Sequence, residues 1–265
     1  MKNVMKSIWY EIFHRKTPVI TFGAFVLLMI FMGFSSTADA TFGFTKGGVS
    51  DMLAAHPWMP YEFPVIFLSV FVGSVCCDDY KDKVAYYEIL SGHSRKSIFL
   101  ARSLTAILMG TLLTMFLSFL PLVTGYVLAG WGNRLVLGDM LLRYFLLGLP
   151  YLRLAAFLAV IAFLCKNPYV MIGIGCILSL SLGAFSEMFQ HSKTVFVSLF
   201  NMILLTQYQG WSNYNLDPVL GVVRYYAYDS GVTWEMVAGT IVASLLMTIF
   251  YLFMGYALFR RDELN

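Results

Sequence analysis

The chain has 265 residues, of which 59% are hydrophobic and 12% charged, and its formal net charge is +3. A typical soluble domain carries about 25% charged residues, so this composition excludes an ordinary soluble enzyme. The sequence contains no G-x-x-x-x-G-K-[ST] phosphate loop, and its basic residues are scattered over short connections. These features exclude a nucleotide site of that type and disfavour nucleic-acid binding.

The N-terminal segment, residues 1–16, has the pattern of an amphipathic helix. Val4 and Ile8 recur at helical spacing, whereas Lys6 and Glu11 occupy other faces. Such a helix would lie in the cytoplasmic interface of a membrane and lead into the first span. The alternative is a frayed tail that runs into the cytoplasmic end of that span.

Six long apolar runs fill most of the remaining chain. A helix needs about 20 apolar residues to cross the hydrocarbon core, and a backbone in lipid must satisfy its own hydrogen bonds. We therefore predict an all-α polytopic membrane protein, in one transmembrane domain, with six transmembrane helices. The predicted spans are 17–36, 61–77, 98–129, 140–165, 168–187 and 235–259.

The first span has a competing interpretation as a cleaved signal peptide. A basic segment and an apolar run precede Ala38-Asp39-Ala40, which resembles a signal-peptidase site. The segment before the run is long and itself patterned, so we expect the first span to be retained.

The positions of Lys and Arg predict the orientation. With a cytoplasmic N-terminus, most of the basic residues fall in the inner segments. The outer segments then hold only Lys46, Arg134, Lys193 and Arg224. The positive-inside rule therefore places both termini in the cytoplasm, as an even number of spans requires.

The connection 78–96 is the longest predicted cytoplasmic segment. Acids at Asp78 and Asp79 suit a helix N-terminus, and Gly92 suits a C-terminal stop. A helix of about three turns is marginal in isolation, so this one would need a docking surface. The alternative is a solvated loop of mixed charge.

The outer connection 188–234 is rich in aromatic residues. Its apolar part, 194–206, is too short to span a bilayer, and Tyr and Trp residues follow it. This composition predicts a re-entrant or interfacial segment, in which packing and anchoring are favoured over ligand contact.

Several of these features together resemble a known family. The N-terminal interfacial helix, the six spans and the helix between spans two and three are similar to type-2 ATP-binding cassette (ABC) exporter permeases. The segment Tyr87-Glu88-Ile89-Leu90-Ser91-Gly92-His93-Ser94-Arg95-Lys96 and the ending Phe259-Arg260-Arg261-Asp262 also resemble that family. Small bacterial members take part in peptide export or lantibiotic immunity.

The resemblance implies a cytoplasmic coupling helix that docks on a separate ATPase subunit. Relatives often carry a glutamate where this chain has Asp78-Asp79, so neither acid is individually assigned. A shorter second contact would come from Lys166 and Asn167. The implied coupling residues are Asp79, Tyr80, Lys83, Val84, Tyr87, Glu88, Leu90, Ser91, Gly92, Arg95, Lys166 and Asn167.

Arg153 lies near the middle of the fourth run. A charge there costs at least about 2.5–3.5 kcal/mol unless it is paired or hydrated, so we predict that Arg153 faces the bundle interior or a water-filled cavity. Glu187, at the end of the fifth run, is the second candidate for a translocation path. The alternative is a span that begins later, with Arg153 extending towards the interface.

The expected function is that of a permease subunit in the bacterial cytoplasmic membrane, with no catalytic residues. The resemblance implies ABC ATPase subunits that hold ATP and Mg²⁺, and a second permease copy or homologue. This chain itself is expected to bind no cofactor or metal, since its four His and four Cys residues show no ligand spacing. An ion-coupled transporter or a membrane scaffold remains the alternative.

Overall fold

A computed structural model describes residues 2–39, 49, 62–81, 90, 92, 94–132, 136–189, 214–216, 223–225 and 234–261. Apolar runs form most of its helices, as expected for a chain whose backbone N–H and C=O groups must hydrogen-bond to each other in lipid. The helices are α1 (Lys2–His14), α2 (Lys16–Asp39), α3 (Glu62–Lys81), α4 (Arg95–Ala129), α5 (Leu137–Cys165), α6 (Pro168–Phe189) and α7 (Trp234–Arg261). Each of the six predicted apolar runs coincides with one of α2 to α7.

Four of these helices are long and apolar enough to cross a membrane, within the part of the chain that the structure describes. Their apolar segments are Lys16–Ser35, Arg95–Ala129, Tyr144–Cys165 and Val237–Arg260. The corresponding segments of α3 and α6 are shorter. The prediction of a helical membrane protein is thus confirmed at the level of four candidate spans.

The bundle turns apolar side chains outward. Phe31 on α2 and Phe253 on α7 are more than 60% exposed, and so is Leu246 on α7. Patches of this kind are rare on soluble monomers, but a bilayer covers them without cost. The exterior therefore fits a lipid environment.

Helix α4 is the centre of the packing. With 35 residues it is about 52 Å long, well beyond the hydrocarbon thickness of a bilayer. It contacts α1, α2, α3, α5 and α7. Val4 and Ile8 of α1 are buried, whereas Tyr10 and Phe13 of the same helix are exposed, so α1 is amphipathic as predicted.

Helices α3 and α6 approach closely because both carry small residues at their contact. A Cβ atom added to Gly175 would lie 2.6 Å from Cβ of Ser69, and one added to Gly73 would lie 2.8 Å from Cβ of Met171. The Ser69 hydroxyl donates a hydrogen bond to the carbonyl of Met171. Close backbone approach with an interhelical hydrogen bond is a common way for helices to associate in lipid.

The structure corrects one predicted boundary. The acids Asp78 and Asp79 do not begin a new helix, because α3 continues through them to Lys81. The preference of acids for a helix N-terminus is worth only about 0.3–1 kcal/mol, so it does not end a helix that began upstream. The segment 82–89, where the rest of the coupling helix was predicted, lies outside the described residues.

The outer connection contains structure that the sequence did not indicate. Two short strands, β1 (Tyr214–Leu216) and β2 (Val223–Tyr225), pair antiparallel with Asn215 opposite Arg224. The predicted re-entrant segment 194–206 lies outside the described residues.

Candidate functional site: a polar seam between two helices

The buried face of α7 is unusually polar for a helix with an apolar exterior. In its described part, the buried residues all lie on one stripe at helical spacing: Thr240, Ser244, Thr248, Tyr251, Gly255 and Phe259. The first four carry hydroxyl groups, whereas the opposite face is lined by Val, Leu, Ile and Phe. Because α7 packs mainly on α5, these hydroxyls lie at the contact between the two helices.

Helices α5 and α7 run in the same direction along their contact. The rings of Phe157 and Tyr251 are 5.4 Å apart, and those of Phe163 and Phe259 are also 5.4 Å apart. Between them, a Cβ on Gly255 would lie 3.3 Å from Val160. The partner numbers increase together along both helices, so the register is parallel.

This register brings Arg153 to the level of Thr248, one turn before Phe157. Arg153 is 1% exposed and Tyr251 is 4% exposed, and the two side chains lie within electrostatic range of each other. We call Arg153, Thr240, Ser244, Thr248 and Tyr251 the polar seam. The guanidinium is therefore held inside the bundle, and it does not extend to solvent.

Pro150 lies on α5 one turn before Arg153. Proline has no N–H group, so the carbonyl of Leu146 loses its donor within the helix. Leu146 lies seven residues before Arg153, on the same face of α5, and is itself buried. One backbone carbonyl on this face of α5 therefore lacks its usual donor within the helix.

The hydroxyls of the polar seam differ in their hydrogen bonding. Thr248 donates to the carbonyl of Ser244 at 2.7 Å. The hydroxyls of Thr240 and Ser244 are buried and have no hydrogen-bond partner among the described residues. Each such group is costly in a low-dielectric interior. A guanidinium and unsatisfied hydroxyls along one helix contact have the chemistry of a site for an oxygen-rich anion.

The opposite face of α5 is built differently. Tyr151 and Ser118 of α4 are buried, and their hydroxyl oxygens are 2.6 Å apart. Ser118 also donates to the carbonyl of Thr114 at 3.0 Å, so the single Ser118 proton is used there and Tyr151 donates to Ser118. Towards the start of α5, Tyr126, Leu141 and Tyr144 border an apolar cavity of about 340 Å³ between α4 and α5.

The predicted turn before the third span has a defined geometry. Leu90 is helical and exposed, and Gly92 has a φ of +92°, which strongly favours glycine. Ser94 caps α4 by accepting a hydrogen bond from the N–H of Ser97 at 3.2 Å, and Arg95 is the first helical residue. The coupling role assigned to this turn stays a prediction.

The second predicted contact, Lys166-Asn167, is a tight turn. Lys166 ends α5 in the left-handed conformation with a φ of 50°. The Asn167 side-chain oxygen accepts the N–H of Tyr169 at 2.9 Å, and Pro168 begins α6. The turn is short and presents an exposed Asn167, and its contact with an ATPase stays a prediction.

The structure describes the other predicted site residues either by backbone alone or not at all. Asp79 and Tyr80 lie in the last turn of α3, and Glu187 lies near the end of α6, but their side chains are not described. The remaining coupling residues fall outside the described part: Lys83, Val84, Tyr87, Glu88 and Ser91.

Two findings were missed from the sequence. Thr240, Ser244 and Thr248 recur every four residues in the last apolar run, and this spacing alone could have revealed a polar stripe. Arg102 also does not stand out in the sequence, but it is 1% exposed in the third turn of α4. No sequence pattern distinguishes such a buried arginine from a solvated one near a span end.

No protein-family model matches this chain, and a comparison with curated proteins finds no match.

Proposed function

We propose that the chain is the membrane-spanning permease subunit of an ATP-driven ABC exporter of type 2. It would work as a dimer of permeases, with a second copy or a homologue, on two cytoplasmic ATPase subunits that bind ATP and Mg²⁺. The substrate would be amphipathic or peptide-like and would leave the cytoplasm or the membrane. The family in this proposal rests on the sequence resemblance.

One observation carries the transport part of the proposal: Arg153 is buried in a polar seam inside an apolar bundle. An ionisable residue within membrane-spanning helices is expensive and commonly marks a substrate or ion pathway. The hydroxyls on α7 extend this polar surface along the helix. Hydroxyl groups alone also occur in purely structural helix contacts, so the buried arginine carries the argument.

The proposed topology has all six helices α2 to α7 crossing the bacterial cytoplasmic membrane, with both termini inside. The distribution of Lys and Arg supports it. The amphipathic character of α1 supports it as well, because Trp9 is 44% exposed beside an exposed Phe13. Such a helix suits the headgroup region of the inner leaflet.

The proposed coupling route starts at the turn around Gly92 and continues into α4. A movement of the ATPase would displace the N-terminal end of α4 at Arg95. Because α4 packs on α5 and α5 packs on α7, the displacement can reach the polar seam through directly contacting helices. Contact alone does not demonstrate coupling, so this route is part of the proposal.

Purification from native membranes tests the proposal. In mild detergent, the tagged chain is expected to carry an ATPase subunit with it and to show ATP hydrolysis only in that complex. The chain alone, after the partner is removed, is expected to show none, since it contains no phosphate loop. ATP hydrolysis by the isolated chain would contradict the proposal, as would purification of an intact membrane complex without an ATPase.

A further inference from the structure

We propose that the polar seam binds the anionic headgroup of a single-chain amphiphile that enters laterally between α5 and α7. The inference rests on the proposed transport function and narrows its substrate class. It assigns the headgroup to Arg153, Ser244 and Thr240, and it assigns the apolar chain to the lipid-facing side of α7. Phosphate and carboxylate groups share the required chemistry.

The donors of the polar seam select for an anion. The guanidinium of Arg153 carries five N–H donors and stays charged under all ordinary conditions. The hydroxyls of Thr240 and Ser244, which are buried and lack a hydrogen-bond partner among the described residues, can donate to an anion at successive positions along α7. A cationic headgroup would meet a like charge in a low-dielectric surrounding, where repulsion is strong. The polar seam thus favours an anionic amphiphile over a cationic one.

The spacing of the hydroxyls gives the headgroup more than one position. Thr248, Ser244 and Thr240 follow each other by one turn, so the hydroxyls extend over about 12 Å along α7. Arg153 is level with Thr248, at the end of this row nearer the C-terminus of α7. The headgroup would contact the guanidinium at one end of this row. Towards the other end of the row it would form hydrogen bonds with successive hydroxyls in place of the guanidinium.

The route by which the amphiphile would enter the polar seam follows from the packing of α7. The polar seam is closed in this structure, since Ser244 and Arg153 are both buried. Helix α7 packs mainly on α5, and its outward face carries Val242, Leu246 and Ile249. An amphiphile in the bilayer can therefore keep its chain on this apolar face while its headgroup passes between the two helices. A ligand that binds only when α5 and α7 are separated shifts the conformational equilibrium towards that separated arrangement.

The test is equilibrium binding to the full chain in phosphatidylcholine nanodiscs, without any ATPase. Radiolabelled dodecyl phosphate and radiolabelled dodecyltrimethylammonium are compared, and partition into empty nanodiscs is subtracted. The variants are Arg153→Gln, Arg153→Lys and Ser244→Ala. Thr111→Val is the matched control, because it removes another buried hydroxyl without a hydrogen-bond partner among the described residues, on α4.

We expect saturable binding of dodecyl phosphate and none of the cationic amphiphile. Arg153→Gln should weaken the binding of dodecyl phosphate about tenfold or more, and Ser244→Ala should weaken it several-fold. Thr111→Val should leave this binding unchanged. Arg153→Lys should keep part of the affinity. If Arg153→Gln does not fold, Ser244→Ala decides the question in its place.

Three results would overturn the inference: no saturable binding, equal binding of both amphiphiles, or unchanged binding in the folded seam variants. Displacement of dodecyl phosphate by inorganic phosphate at similar concentration would also overturn it, because the apolar chain would then contribute nothing. The outcome is separable from the proposed function. If the chain binds dodecyl phosphate at the polar seam but never associates with an ATPase, the proposed exporter function is refuted and the proposed binding site is retained.

Discussion

Arg153 of α5 and Tyr251 of α7 lie close together across the contact between two parallel helices, and both side chains are buried. The same face of α7 carries the hydroxyls of Thr248, Ser244 and Thr240. A buried guanidinium is costly unless it is paired and hydrogen-bonded, so its surroundings decide how a replacement changes stability. In the proposed exporter, Arg153 serves the binding or movement of the substrate.

Replacement of Arg153 separates that role from stability. Arg153→Leu is expected to fold as well as the original chain or better, because a costly buried charge is replaced by an apolar group. Substrate-stimulated ATP hydrolysis in the complex should fall about tenfold, and Arg153→Lys should recover part of it if charge alone matters. Thermal unfolding and ATP hydrolysis are the two measurements. An Arg153→Leu variant with the original stimulated rate would make the arginine purely structural.

Tyr87 tests the predicted coupling helix. If that helix docks on an ATPase, Tyr87→Ala removes an aromatic anchor and should cost about 2 kcal/mol of association, while insertion into the membrane stays normal. Co-purification of the ATPase measures the effect. Tyr126→Ala is the control, because Tyr126 is an exposed tyrosine near the far end of α4. Equal recovery of the ATPase with both variants would indicate that the segment around Tyr87 is a loop that does not dock on the ATPase.

Gly175 tests the close packing of α3 and α6. In Gly175→Ala the new Cβ would lie 2.6 Å from Cβ of Ser69, so the two helices must move apart. We expect a loss of about 1–3 kcal/mol in the free energy of unfolding, measured by denaturant titration in detergent. Gly173→Ala is the matched control on the same helix, since nothing lies within 4 Å of its added Cβ. Equal stability of the two variants would contradict the close contact.

The hydrogen bond from Tyr151 to Ser118 is expected to stabilise the α4–α5 contact. Tyr151→Phe removes the donor and should lower the free energy of unfolding by about 0.5–1.5 kcal/mol. A double-mutant cycle with Ser118→Ala isolates the pair. Tyr126→Phe, at an exposed position, should change little. Strictly additive effects of the two single variants would show that the hydroxyls do not interact.

The sequence alone determined the helices, because crossing lipid requires long apolar segments whose backbones bond internally. For this reason α2 to α7 begin and end within a few residues of the predicted runs. It also indicated the turn at Gly92, since glycine accepts the positive φ that the turn needs. The end of α3 was the exception. The preference of acids for a helix N-terminus is weak and did not end the helix that begins at Glu62, so Asp78 and Asp79 were assigned to the wrong helix.

Only the tertiary structure decided which faces meet. Arg153 stood out as a charge in an apolar run, but the sequence could not choose between the bundle interior and the interface. Its position inside follows from the parallel register of α5 and α7, which is fixed by contacts such as Phe163 with Phe259. The same register brings Tyr251 close to the arginine, although about 100 residues separate them in the chain. Spacing along a chain defines a helix face, but what that face contacts depends on packing between distant segments.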